Sequence, residues 1–412
     1  MRNKALNILL FCLVLALATA AAVLFSSGCE HAGGHLTTTT TTTTTTGTGT
    51  TTSSTGTTTT VTFSTTTTIV SVGGKTFTIQ NVDYTGARIG NIYTSAVIDR
   101  NDNNRIHISY FHRINEDLRY AVGRPGSWEI YAIDSSGDVG LYTSIALDSS
   151  NNVYISYYAP RDSALALISQ EGGTWGTFYV DDPLSGEDVG YYSSMAIDGS
   201  GKAHICYYDW DNTDLKYATN QSGAWTTEIV DGTGVGVHMG KYCSLAVDSA
   251  NKVHISFYNE TGNTLRYAYG ESGSWAKENI ETLVNVGEYS SIVTDASNVA
   301  HISYYDRGNG HLRYASGNLG LFSRKIVDAS ADVGQFNSIA LDSSGEPHIS
   351  YYDVTNSSLK YASLSGGVWT PLTIDSATNV GQDTSLAFGT NDKARISYYD
   401  VGNNLLKVTF EE

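Results

Sequence analysis

The stretch VGYYSSMAIDGSGKAHICYYDWDNTDLKYATNQSGAWTTEIVD, Val189–Asp231, contains four short segments that are rich in β-forming residues. Segment A is YSSMAID, segment B is HICYY, segment C is LKYA and segment D is WTTEIVD. Gly- and Ser-containing turns separate A from B and C from D. Each segment has the length of a strand, so the stretch predicts four antiparallel strands joined by tight turns.

The same unit recurs seven times with a base period of 47 residues. A serine marks segment A of each copy, at Ser95, Ser144, Ser194, Ser244, Ser291, Ser338 and Ser385. Four strands in a repeat of this length are typical of a β-propeller blade. The sequence therefore predicts an all-β, seven-bladed β-propeller of four-stranded antiparallel blades.

The two ends of the chain predict how the ring closes. The seventh copy has its segment C leucine at Leu406, and the segment D aromatic due ten residues later would fall beyond Glu412. A matching segment D lies near the other end, at residues 75–83, with Phe77 as its aromatic and Asp83 as its acid. We therefore expect this N-terminal strand to complete the last blade, which would remove a free sheet edge.

The N-terminal region predicts an exported protein. Arg2 and Lys4 precede an apolar run over residues 5–25, which is followed by two serines, a glycine and Cys29. This layout resembles a bacterial lipoprotein signal, and the resemblance implies that Cys29 is lipidated. An uncleaved membrane anchor is the alternative. Residues 1–29 are thus predicted to be a signal or anchor. Residues 30–68, which are Thr-rich, are predicted to be a disordered stalk, and residues 69–412 the propeller.

The charge of the chain limits its partners. There are 41 acidic against 24 basic residues, for a net charge of -17. An acidic protein repels a phosphate backbone, so nucleic-acid binding is excluded. The predicted location is the cell surface or the outer membrane, with attachment through the lipid or the anchor, and the propeller is expected to be monomeric.

Loop lengths indicate which face of the disc binds. Strand alternation places the B–C and D–A loops on one face. The B–C loops have constant length, whereas the D–A loop varies. The segment D acid and the segment A aromatic are eight residues apart in four blades, ten from Asp83 to Tyr93, and eleven from Asp181 to Tyr192 and from Asp231 to Tyr242. Variation on one face favours that face for binding.

Tyr-Asp pairs at the end of segment B are the candidate ligand-binding residues on this face. An aromatic platform beside a carboxylate suits sugars, because rings stack on C–H surfaces and carboxylates accept hydrogen bonds from hydroxyls. The alternative is an aspartate that caps the loop beside a core tyrosine. The candidates are Tyr208, Asp209, Tyr305, Asp306, Tyr352, Asp353, Tyr399 and Asp400, with Tyr192 and Tyr242 from the D–A loops.

Other repeated residues have structural explanations. The tryptophan of segment D is expected to pack between blades, and the repeated serine to form hydrogen bonds as an inner-strand residue. The segment B histidines lie in separate blades, so they cannot converge on one metal ion. The Asp/Asn-rich stretch at residues 99–104 matches a tight turn better than a calcium-binding loop, and calcium binding there is the alternative. Cys206 and Cys243 replace the Ser or Thr of other copies. They are predicted either to form a disulfide or to be two separate buried residues.

The G-S-W, G-A-W and G-T-W turns resemble degenerate Asp-box repeats, and the seven copies with L-K-Y-A and x-G-x-W resemble bacterial seven-bladed propeller lectins. The lectin resemblance implies binding of fucose-type sugars. No unique constellation of catalytic residues stands out from the copies. We therefore expect a non-catalytic, surface-tethered protein that binds a glycan or an extracellular protein. A protein-interaction scaffold is the first alternative, and a sialidase-like glycosidase is the second.

Overall fold

A computed structural model describes residues 38–53, 58–86, 90–99, 101–102, 105–171, 173–182, 186–232, 234 and 236–412. Over this part of the chain the secondary structure consists of strands and turns without a helix. None of the described residues therefore forms a helix that could cross a membrane. The predicted signal or anchor, including Cys29, lies outside the described residues.

The strands of the described residues form seven antiparallel four-stranded blades, which confirms the predicted fold. Three strands precede the first blade: β1 Thr39–Ser53, β2 Thr58–Val72 and β3 Lys75–Tyr84. Blade 1 comprises β4 Ser95–Asp99, β5 Arg105–His112, β6 Asp117–Arg124 and β7 Ser127–Asp134. Blade 2 comprises β8 Leu141–Leu147, β9 Val153–Ala159, β10 Ala164–Glu171 and β11 Thr174–Asp181. Blade 3 comprises β12 Val189–Ile197, β13 Ala203–Asp209, β14 Asp214–Thr219 and β15 Thr226–Asp231.

Blades 4 to 7 repeat the same order of strands. Blade 4 comprises β16 Met239–Val247, β17 Val253–Asn259, β18 Thr264–Glu271 and β19 Ser274–Asn279, and blade 5 comprises β20 Val286–Thr294, β21 Ala300–Asp306, β22 His311–Gly317 and β23 Ser323–Asp328. Blade 6 comprises β24 Val333–Leu341, β25 Pro347–Asp353, β26 Ser358–Ser365 and β27 Val368–Asp375. Blade 7 contains β28 Val380–Phe388, β29 Ala394–Asp400 and β30 Leu405–Glu411.

The N-terminal strand closes the ring as predicted. Strand β3 pairs with β30 in antiparallel register, so that Phe77 lies opposite Glu411 and Asp83 opposite Leu406. Phe77 is fully buried against the core of blade 7. The last blade thus takes three strands from the C-terminal end and its outer strand from the N-terminal end.

Part of the predicted stalk is a β-hairpin in the structure. Strand β1 pairs with β2, strand β2 continues into a pairing with β3, and β1 pairs in parallel with β7 at residues 51–53. The hairpin thereby joins the outer strands of blades 7 and 1 into one ten-stranded sheet. Threonine is β-branched and favours strands, and this preference outweighed the low apolar content on which the stalk prediction depended.

A ring of serine hydrogen bonds holds the inner strands together. In every blade the Oγ of the repeated serine accepts a hydrogen bond from a backbone N–H of the next blade, at 3.0–3.2 Å. The seventh bond joins Ser385 to the backbone N–H of Ala96 and so returns to blade 1. The expectation that these serines are structural is confirmed.

A second set of contacts ties the outer parts of the blades. At the junction of blades 2 and 3, Asp181 accepts a hydrogen bond from the Tyr207 hydroxyl at 2.6 Å and pairs with Lys216 at 2.5 Å. The tyrosine-to-acid bond recurs at five other junctions, namely Tyr110–Asp83, Tyr157–Asp134, Tyr304–Glu281, Tyr351–Asp328 and Tyr398–Asp375. The acid that recurs in segment D therefore serves blade-to-blade packing.

Removal of one serine hydroxyl should weaken the ring. We expect Ser244→Ala to lower the free energy of unfolding by about 1–3 kcal/mol, because the N–H of Ile292 loses its acceptor. Urea denaturation checks this. Ser222→Ala, at an exposed serine, is the control and should change little. Equal effects of the two substitutions would mean that the ring bond adds no stability.

Candidate functional site

A ring of aromatic side chains surrounds the propeller axis on the face of the B–C and D–A loops. Six blades contribute one half-buried aromatic each, and blade 7 contributes Asp383 at the same place. Neighbouring ring centroids are 4.5–4.8 Å apart from Tyr93 to Phe336. We call this set the axial ring, and its members are Tyr93, Tyr142, Tyr192, Tyr242, Tyr289, Phe336 and Asp383.

In blades 2 to 7 a bulge at the start of the inner strand places these side chains. All seven residues of the axial ring have a left-handed backbone, with φ between 50° and 55°. Two residues before Tyr242, Gly240 has φ 110°, and a Cβ there would lie 2.8 Å from the Cα of Leu215. The pairing of β16 with β17 shifts register at this point. The repeated G-x-aromatic sequence thus turns the aromatic towards the axis.

Asp383 breaks the symmetry of the axial ring. Its Oδ2 accepts hydrogen bonds from the backbone N–H groups of Ile92 and Tyr93, at 2.7 and 3.0 Å. Burial raises the pKa of the Asp383 carboxyl to about 6, although the nearby Arg113 guanidinium acts in the opposite direction. The carboxylate therefore stands in for the aromatic ring of the other blades and caps the entry of the chain into blade 1.

A second aromatic cluster lies off the axis, between blades 2 and 3. The ring centroids of Tyr158 and Tyr191 are 4.1 Å apart, and those of Tyr191 and Trp210 are 5.1 Å apart. Trp210 is 49% exposed, whereas most large aromatics of the chain are buried. Tyr142 of the axial ring lies 5.6 Å from Tyr191, so the two clusters touch. We call Tyr158, Tyr191 and Trp210 the Trp210 platform.

Carboxylates border the Trp210 platform. Asp188 accepts hydrogen bonds from the hydroxyls of Tyr158 at 2.6 Å and Tyr191 at 3.0 Å. Burial, with the Asp188 hydrogen bond, raises the pKa of Tyr191 to about 12, so that its hydroxyl stays protonated. The backbone N–H of Asp188 donates to the exposed Asp211 at 3.0 Å. The platform therefore combines an open ring surface with two oxygen acceptors.

The two longest D–A loops flank the Trp210 platform. One of them leads into β12 and contains Asp188, and the other leads from β15 into β16. A cavity of about 580 Å³ lies between the second loop and the B–C loop of blade 3. Its lining residues are Asp211, Asn212, Thr213, Asp214, Gly234, Gly236 and His238. The two longest D–A loops and the exposed Trp210 thus lie at the same blade, blade 3.

The predicted aspartates cap loops in the structure. Asp209, Asp306, Asp353 and Asp400 are at most 2% exposed. Each accepts hydrogen bonds from the asparagine three residues later, as Asp306 does from the backbone N–H of Asn309 at 3.0 Å. Each also faces a segment C cation, at 2.7 Å for Lys407 and Asp400. The loop-capping alternative describes these four carboxylates, and their burial keeps them from a ligand on the surface.

The predicted tyrosines separate into two groups. Tyr305, Tyr352 and Tyr399 are buried, with hydroxyls bonded to nearby acid or amide side chains at 2.7–3.2 Å. Tyr192 and Tyr242 belong to the axial ring. Tyr208 is buried beneath the Trp210 platform, 6.2 Å from the Trp210 ring. Tyr305 and Tyr352 pack edge-on against Tyr289 and Phe336 of the axial ring, with centroids 6.2–6.3 Å apart.

Sequence reasoning missed Trp210, Tyr191 and Asp383 as site residues. Trp210 is the only aromatic directly after the segment B end in any copy, and Asp383 is the only acid at the axial-ring position. A comparison of copies position by position would have found both. Residues that the copies share are mainly those that hold the blades together.

The remaining candidates have structural roles. Each segment D tryptophan packs on an aromatic ring of the previous blade. Three of them meet a tyrosine edge to face, as Trp275 does Tyr217 at 5.1 Å, and Trp128 and Trp225 meet a phenylalanine. The segment B histidines contact a tyrosine hydroxyl of their own blade, at 2.5–2.7 Å. Asp99 caps its turn through the N–H groups of Asn101 and Asp102. Over the described residues no group of three or more His, Cys, Asp or Glu could hold a metal.

Comparison with known proteins supports the fold. No family model and no curated protein matches the chain. A mutant of AofleA from Arthrobotrys oligospora is 15% identical, with a TM-score of 0.50 over 74% of this chain and 91% of that chain. The polysaccharide lyase Uly1 is 9% identical, with a TM-score of 0.50 over 80% and 91%. The Aleuria aurantia lectin with Fucα1-6GlcNAc is 15% identical, with a TM-score of 0.44 over 63% and 88%.

The strand topology, supported by the matches to AofleA and Uly1, defines the class of this protein as a seven-bladed β-propeller. Because one fold can serve both binding and cleavage, the fold alone does not decide between these two activities. The choice has to come from the residues of the site.

Replacement of a loop-capping aspartate should destabilise the fold. We expect Asp306→Ala to lower the free energy of unfolding by about 2–4 kcal/mol, because Arg313 and the B–C loop lose a buried partner. Urea denaturation measures this. Asp211→Ala, in an exposed loop position, is the control and should cost much less. A neutral Asp306→Ala variant would contradict the capping role.

Asp383 should make stability depend on pH. Its folded pKa of about 6 lies above the ordinary aspartate pKa of 3.8, so folding favours the protonated form and wild-type stability falls as pH rises between these values. Asp383→Asn removes this loss. We expect the variant to match wild type near pH 4 and to exceed it by up to about 3 kcal/mol at pH 7, as the shift implies. Urea denaturation across this range checks it, and parallel curves would contradict it.

Proposed function

We propose that the protein binds glycans without cleaving them, through the Trp210 platform on the B–C and D–A loop face. The observation that carries the proposal is a half-exposed tryptophan continuous with two stacked tyrosines and bordered by Asp188 and Asp211. Sugars present C–H surfaces that stack on aromatic rings and hydroxyls that bind to carboxylates.

The surroundings of the Trp210 platform suit a ligand that is part apolar and part polar. Lys241 lies 5.7 Å from the Trp210 ring and pairs with Glu260 at 2.8 Å, so a charged rim borders the aromatic surface. The adjacent cavity of about 580 Å³ is lined by amide, hydroxyl and carboxylate side chains. A sugar residue stacked on Trp210 would extend its neighbouring units towards this polar cavity.

Binding without turnover is favoured by how the carboxylates are used. Glycosidases need a pair of carboxyl groups that reach the scissile bond. The repeated acids of segments B and D are instead committed to loop caps and to tyrosine and cation partners. A sialidase-like glycosidase is the competing proposal, and release of reducing sugar from a bound glycan would favour it.

We propose further that the chain is exported and held at the cell surface or outer membrane through Cys29, as a monomer. The support is the signal-like order of basic, apolar and small residues before Cys29. Mass analysis of the N terminus from the producing cell tests this proposal. A diacylglycerol-modified Cys29 at the new N terminus supports it, and an intact Met1 with unmodified Cys29 would contradict lipidation.

The glycan proposal predicts that one aromatic side chain dominates affinity. We expect Trp210→Ala to weaken glycan binding at least tenfold with little loss of stability, because the stacking surface is removed from an exposed position. Affinity is measured by calorimetry with the best glycan from an array. Tyr84→Ala is the matched control, since Tyr84 is also 49% exposed.

The array itself separates the alternatives, and it is run with calcium and with a chelator. Selective binding that is lost in Trp210→Ala and kept in Tyr84→Ala supports the proposed site. A blank array with a protein shown to be folded by circular dichroism would instead favour a protein-interaction scaffold. Binding lost only with the chelator would indicate a calcium site.

A further inference from the structure

Between neighbouring blades, two polar side chains meet behind the axial ring. One is the central serine of segment B, and the other is the residue before the repeated serine of the next blade. At six junctions the pair is joined by a hydrogen bond of 2.5–3.0 Å. The pairs are Ser109–Thr143, Ser156–Ser193, Ser256–Ser290, Ser303–Asn337, Ser350–Thr384 and Ser397–Thr94.

At the seventh junction, between blades 3 and 4, both positions are cysteine. Cys206 is fully buried and Cys243 is 6% exposed, and both are free thiols. The Cys243 thiol donates to the Tyr192 carbonyl at 3.1 Å, just as the Ser290 hydroxyl donates to the Tyr242 carbonyl at 2.9 Å. Cys243 therefore adopts the side-chain position of the serine it replaces.

The two thiols face each other across the junction. Burial raises the pKa of the Cys206 thiol well above its usual value, and the adjacent Cys243 thiol raises it further. A raised pKa keeps the thiols protonated and slow to react in the folded state. The pair is thus held in place by the same geometry that pairs two hydroxyls at other junctions.

We propose that Cys206 and Cys243 form an inter-blade disulfide. The reaction is exchange with a small-molecule disulfide. The thiolate of one cysteine attacks the small disulfide, and one small thiol leaves. The second cysteine then attacks the mixed disulfide, and a second small thiol leaves. Two electrons pass to the small disulfide, and the cysteine protons end on the released thiols.

The position of this bond gives it a consequence for the candidate site. The rings of Tyr192 and Tyr242 are in contact at the same junction, with centroids 4.8 Å apart. Two members of the Trp210 platform, Tyr191 and Trp210, lie on β12 and in the loop after β13. A cross-link from β13 to β16 would join these strands to the blade that supplies Lys241. The exchange is expected to be slow in the native protein, because both sulfurs are buried.

The test uses the full chain with Cys12→Ser and Cys29→Ser, so that only the buried pair remains. The protein is refolded with reduced and oxidised glutathione, and the cysteines are mapped by mass spectrometry without reduction. We expect linked Cys206 and Cys243 peptides, a melting temperature several degrees above that of the reduced protein, and reversal by dithiothreitol.

The matched control adds Cys206→Ser and Cys243→Ser, which restores the hydroxyl pair found at other junctions. This variant should melt close to the reduced protein and show no shift with oxidation. Free thiols or glutathione adducts after equilibration would overturn the proposal. A linked pair that lowers the melting temperature would overturn it also, since the native geometry would then oppose the bond.

Discussion

One serine hydroxyl in each blade, bonded to the backbone of the next, sets the spacing on which the whole ring depends. A closed ring allows no error to accumulate, because the seventh junction must meet the first at the same distance as the others. This constraint explains why the inner strands are so alike in sequence. It also explains why the bulge that follows the glycine recurs in blades 2 to 7, and why the left-handed residue recurs in all seven blades.

Because the ring is closed, the main contacts between blades repeat around it, whereas the loops of one face differ from blade to blade. Inside, the serine ring, the axial bulge and the tyrosine-to-acid bonds repeat, because each blade must fit the next. The loops of one face are exempt from this requirement. There the chain inserts extra residues before blades 3 and 4, and there it exposes Trp210. A site specific to one ligand is therefore to be sought among departures from the repeat.

The sequence was sufficient to predict the fold, but not the residues of the Trp210 platform. Period and turn residues predicted seven blades, and the missing segment D after Leu406 predicted that β3 closes the ring. The repeated aspartates of the Tyr-Asp pairs are buried loop caps, so their repetition reflects a structural requirement of the blades. An aspartate recurs at the position of Asp306 because the B–C loop needs a cap. The burial of its carboxylate by Arg313 and Asn309 is visible only in three dimensions. Stacking of Tyr158, Tyr191 and Trp210 joins two blades and cannot be seen in one copy.

The N-terminal hairpin determines where a mechanical load enters the molecule. Strand β2 pairs with β3 and strand β1 with β7, so a pull at Thr39 acts on the hairpin before it acts on the pairing of β3 with β30. The hairpin is joined to both blades at the seam where the two ends of the chain meet. A force applied to the N-terminal segment would therefore first separate the strands of the hairpin, which lie outside the ring. The seven inner strands around the axis would stay in register.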